Sequence, residues 1–117
     1  QQFDTTFLDD MTGITSDASG SVYAIGYSRG DLDGHTSTSC SACEDFFVVK
    51  YDSSGVKQWT QQHGASTFSS TIAYGIATDS SGNVYVTGST SGGLDGNTNA
   101  GGRDIFVVKY NSDGEKQ

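Results

Sequence analysis

The chain has 117 residues, 33% of them hydrophobic, with 16 glycines and no proline. That length carries one modest domain, and the composition excludes collagen-like and proline-rich architectures. A formal net charge of −8 argues against nucleic acid and anionic lipid as partners, and no apolar run approaches the roughly 18–20 residues that span a bilayer.

Taken in chain order, the apolar segments are short, β-branched or aromatic, and separated by Ser, Thr, Gly, Asn and Asp. They predict strands over Gly13–Asp17, Val22–Ser28, Phe46–Tyr51 and Val56–Gln62 in one unit. A second unit follows with Tyr74–Asp79, Val84–Ser89, Ile105–Tyr110 and a truncated Glu115–Gln117. Val84, Val86 and Gly88 alternate with Tyr85, Thr87 and Ser89, the period of two that a strand requires. Phe46-Phe47-Val48-Val49 and Ile105-Phe106-Val107-Val108 are apolar throughout, as in strands buried on both faces. No segment carries a helical stripe.

The two units repeat one another. Gly13-Ile14-Thr15-Ser16-Asp17-Ala18-Ser19-Gly20-Ser21-Val22-Tyr23 returns as Gly75-Ile76-Ala77-Thr78-Asp79-Ser80-Ser81-Gly82-Asn83-Val84-Tyr85. Asp45-Phe46-Phe47-Val48-Val49-Lys50-Tyr51 returns as Asp104-Ile105-Phe106-Val107-Val108-Lys109-Tyr110. The turns at Asp17–Gly20, Asp52–Gly55, Asp79–Gly82 and Asn111–Gly114 all run from Asp or Asn to Gly. There the first side chain accepts a backbone N–H and the glycine takes positive φ. Longer loops, 29–44 and 91–103, join the second and third strands.

Duplicated four-stranded meanders predict an all-β fold of two β-propeller blades, residues 1–62 and 63–117, belonging to a larger ring, array or filament. A β-sandwich could use as many strands but would leave the duplication unexplained. The blocks at 75–88, 104–110 and 50–59 resemble the bacterial SBBP-type β-propeller repeat. That resemblance covers nearly the whole chain and implies a propeller of secreted or surface-exposed proteins, without catalytic residues to carry over.

The ends extend the pattern. Glu115-Lys116-Gln117 aligns with Val56-Lys57-Gln58, and Gln1-Gln2 aligns with Gln61-Gln62. The N-terminal residues therefore read as completing a preceding blade's outer strand. Two blades do not close a propeller, so their faces and edges invite further copies or adjacent blades. The expectation is that Gln117 lies beside Gln1 of another copy or of the next unit in an array.

Few residues suggest chemistry. Cys40 and Cys43 in the first long loop predict a loop-stapling disulfide in an extracellular setting. A metal site with His35 lacks an evident fourth ligand. Asp31 and Asp33, with Asp95 in the second unit, suggest a calcium loop, but no bidentate glutamate follows, and Leu-Asp-Gly also reads as a loop anchor with leucine packed inward. Arg29-Gly30-Asp31 spells an integrin tripeptide that the second unit lacks. Gly26-Tyr27-Ser28-Arg29-Gly30 matches a hydrolase elbow, but it ends a strand where that motif needs a strand-to-helix turn. The repeated aromatics Tyr23, Tyr85, Phe47, Phe106, Tyr51, Tyr110 and Trp59 read as blade-to-blade packing, and His63 as a loop or strand-end residue.

The expected function is a non-enzymatic, extracellular structural or adhesive module that associates with further copies of itself. It is expected to have no cofactor other than a possible calcium ion. The alternative is a glycan-, calcium- or protein-binding module using both long loops, with Arg29, His35, Asn97 and Arg103 as candidate contacts. No carboxylate pair or triad supports an enzyme.

Overall fold

The computed structural model describes residues 8–31, 33, 43–65, 69–94, 96–99 and 101–117. Among the described residues seven strands form: β1 (Asp9–Ser16), β2 (Val22–Ser28), β3 (Asp45–Tyr51), β4 (Lys57–His63), β5 (Thr71–Thr78), β6 (Val84–Thr90) and β7 (Asp104–Tyr110). They make two antiparallel meanders, a four-stranded sheet ordered β1-β2-β3-β4 and a three-stranded sheet ordered β5-β6-β7. The second sheet has, among the described residues and beyond β7, an isolated bridge between Tyr110 and Lys116. Among the described residues, chain neighbours are sheet neighbours and no strand crosses between sheets, unlike the exchanged strands of a Greek-key sandwich.

The turns close as their chemistry dictates. Asp17 Oδ1 accepts the amides of Ser19 and Ser21 at 2.9 and 3.0 Å. Asp79 does the same for Ser81 and Asn83 at 2.9 and 3.0 Å. Gly20 and Gly82 complete these turns with φ of 82° and 79°, a region that a Cβ disfavours.

The inner strands begin earlier than the apolar pattern indicates, at Asp9 and Thr71 rather than at Gly13 and Tyr74. Each contains a register shift, between Met11 and Gly13 and between Ala73 and Gly75. Such a bulge inserts one residue and breaks the alternation that reveals a strand in sequence. Beyond it, Asp9 and Asp10 pair with Ser28 and Tyr27.

The two sheets stack face to face around one core. Tyr23, Ile25, Phe46 and Val48 of the first sheet meet Ala73, Val84, Val86, Phe106, Val108 and Tyr110 of the second. A smaller cluster of Ala24, Phe47 and Val49 lies on the opposite face of the first sheet. The expectation that both central strands are buried on both faces holds for β3, where Phe46 to Val49 are all buried. It fails for β7, where Ile105 is 90% and Val107 66% exposed. The difference arises because burial of a sheet face is set by what lies against it, and among the described residues no sheet covers that side of β7.

Candidate interaction faces and the loop rim

Strand register shows which positions the repeat equates. Ile25 pairs with Val48 and Tyr23 with Lys50, just as Thr87 pairs with Val107 and Tyr85 with Lys109. Lys50 Nζ sits 5.4 Å from the Tyr23 ring centroid, and Lys109 Nζ sits 5.6 Å from that of Tyr85. Both tyrosine hydroxyls donate to the aspartate of the preceding turn, Tyr23 to Asp17 at 2.9 Å and Tyr85 to Asp79 at 3.1 Å. The units are thus copies down to their side-chain contacts.

Unlike faces meet at the seam. The Tyr23/Phe46/Val48 face of the first sheet, whose counterparts in the second are Tyr85, Ile105 and Val107, packs on the opposite face of the second sheet. Phe46 stacks on Phe106 with centroids 5.0 Å apart. Trp59 lies 6.0 Å from Tyr23 and 6.2 Å from Tyr110, and His63 stacks 5.9 Å from Tyr110. His63 does end a strand, as expected, but its ring belongs to the seam.

Hydrogen bonds fix the register between the sheets. Lys50 Nζ and Trp59 Nε1 donate to the Ser112 carbonyl at 2.9 and 3.0 Å. Thr12 Oγ1, on the first bulge, donates to the Ala73 carbonyl at 2.6 Å. Thr78 Oγ1 donates back to the Ser16 carbonyl at 3.1 Å. Of the aromatics expected to join the blades, Tyr23, Phe106, Tyr110 and Trp59 do so. Phe47 and Tyr51 belong to the cluster on the far face of the first sheet, and Tyr85 lies on the outer face of the second. Phe46, which the repeat pairs with an isoleucine, is a seam residue that aromatic repetition does not reveal.

Register-equivalent residues differ sharply in exposure. Phe46 and Val48 are fully buried, whereas their counterparts Ile105 and Val107 are 90% and 66% exposed. On the other face Ala73 is fully buried and Ile76 packs on the core. Their counterparts in the first sheet, Met11 and Ile14, are 52% and 71% exposed. The second sheet therefore exposes Ile105 and Val107 where the first buries their counterparts, and the first exposes Met11 and Ile14 of β1, while Ala24, Phe47 and Val49 on that same face are buried.

Glu44 bonds to Arg29 at the end of β2 and to Ser70 and Thr71 at the start of the second sheet. Arg29 donates to Glu44 Oε1 through Nε at 3.1 Å and through a terminal nitrogen at 2.8 Å. Ser70 Oγ donates to Glu44 Oε2 in a short hydrogen bond. The Glu44 carbonyl accepts the Thr71 amide at 2.7 Å, which ties the first loop to the second sheet. Burial acts to raise the Glu44 carboxyl, but the Ser70 and Arg29 hydrogen bonds and the Arg29 charge hold it below the usual glutamate range. Arg29 thus has its guanidinium engaged inside the molecule.

Asp33, at φ 49°, accepts Lys57 Nζ at 2.8 Å and Thr60 Oγ1 at 2.5 Å. Asp31 is exposed, and Asp95, the third calcium candidate, lies outside the described residues. Among the described residues no three His, Cys, Asp or Glu side chains gather into a metal-sized group. Leu94 is 8% exposed and joins the core, the inward anchor expected of the Leu-Asp-Gly loop. Asn97 secures that loop, donating from Nδ2 to the Leu94 carbonyl at 2.9 Å. Arg103 is exposed at the entry to β7.

Cys43 is buried at the start of β3, while Cys40 and His35 lie outside the described residues. Ser28, centre of the Gly-x-Ser-x-Gly match, is fully buried and donates to the Gly30 carbonyl at 3.0 Å, so it makes a turn rather than a nucleophile. Thr90 repeats that turn, donating to the Gly92 carbonyl at 2.9 Å.

An all-β pair of like meanders stacked with the same sense defines the chain as a β-propeller repeat protein. Residues 58–95 match the family model SBBP, described as a β-propeller repeat. The match runs from the outer strand of the first sheet through β5 and β6 into the following loop. No curated protein matches the chain.

Proposed function

We propose that this chain is a non-enzymatic, extracellular structural or adhesive module that extends by stacking the Ile105/Val107 face of one copy on the Met11/Ile14 side of the next. The supporting observation is the reciprocal exposure of equivalent positions, Ile105 and Val107 on one side and Met11 and Ile14 on the other. The internal seam offers the pattern for such a fit, with stacked rings, a shared carbonyl acceptor and an aliphatic centre. Covering Ile105 and Val107 as Phe46 and Val48 are covered would return about 1.5–3 kcal/mol per fully buried side chain. Because unlike faces meet, the contact is heterologous and gives a ring or a filament according to its rotation. The engagement of Arg29 with Glu44, and of Asp33 with Lys57 and Thr60, favours this reading over ligand binding by the long loops. No cofactor is needed for such a role.

Sedimentation velocity across a concentration series tests the proposal. Mass-action growth of the wild-type protein is expected, together with a sharp reduction in the Ile105→Glu, Val107→Glu variant at an unchanged far-UV spectrum. A wild-type protein that stays a stable two-blade monomer at the highest concentrations would refute the stacking role. The extracellular setting further predicts a Cys40–Cys43 staple. Alkylation should then label neither cysteine before reduction and both afterwards.

A further inference from the structure

We draw no further inference here: the strongest candidate, the polar cleft of about 370 Å³ between the turns at Asp17 and Asp79, is lined by two carboxylates and a Lys50 ammonium that are already bonded within the chain, and nothing in the structure shows what would fill it.

Discussion

Gly114 lies so close beneath the Trp59 indole that a Cβ placed there would stand 2.7 Å from Trp59 Cδ2. Its φ is 85°, and it closes the turn whose Ser112 carbonyl receives Lys50 and Trp59. Gly55 ends the matching turn of the first sheet at φ 83°, with no atom within 4 Å of a notional Cβ. Gly55→Ala should therefore cost only the left-handed backbone penalty, about 1–2 kcal/mol. Gly114→Ala should cost that and a displaced indole, about 1–3 kcal/mol more. Urea unfolding of the two variants measures the difference, and equal losses would contradict the account of the seam.

Phe46 and Ile105 occupy equivalent positions of the repeat but opposite environments. Phe46→Ala opens the seam beside Phe106 and should cost about 3–5 kcal/mol. Ile105→Ala removes a side chain that is 90% exposed and should change the stability of the unassociated chain by less than about 0.5 kcal/mol. Chemical denaturation of both variants at low protein concentration reads this contrast. Trp59, the single tryptophan, reports opening of the seam through its emission.

Acidification provides a third test. Glu44 and Asp17 both have carboxyl values held below their ordinary ones. For Asp17, burial pushes upward, but hydrogen bonds from Tyr23, Ser21 and Ser19 and the Lys50 charge prevail. A group depressed in the folded state contributes stability above its unfolded pKa and loses it as pH falls through the folded value. Tm should therefore decline from roughly pH 5 down to pH 3, around and below the unfolded carboxylate range. Glu44→Gln should lower Tm at neutral pH and flatten that acid decline. An unchanged acid slope in the variant would remove Glu44 from the explanation.

Much of the fold was legible because turns and strand alternation are local. The Asp-x-x-Gly turns dictate where the chain reverses, and the recurrence of Tyr23 as Tyr85 and Lys50 as Lys109 reveals two copies of one meander. The bulges at Thr12 and Tyr74 were not legible, because an inserted residue inverts the alternation just where Asp9 and Asp10 look like loop. Nor could composition separate β3 from β7. Phe-Phe-Val-Val and Ile-Phe-Val-Val read alike, and only the neighbouring sheet makes one buried and the other half exposed. Among the candidate contacts, Arg29 and Asp33 were visible as charged loop residues. Their partners Glu44, Lys57 and Thr60 come from other parts of the chain, so spacing carried no sign that both were already engaged.

The same-sense stacking of the two sheets has a directional consequence. Any assembly that continues it is a vector, with a leading end that shows Ile105 and Val107 and a trailing end that shows Met11 and Ile14. A subunit altered only at Ile105 could still dock through its trailing side, but nothing could be added beyond it. Small doses of such a subunit would cap growth at one terminus and leave the other active.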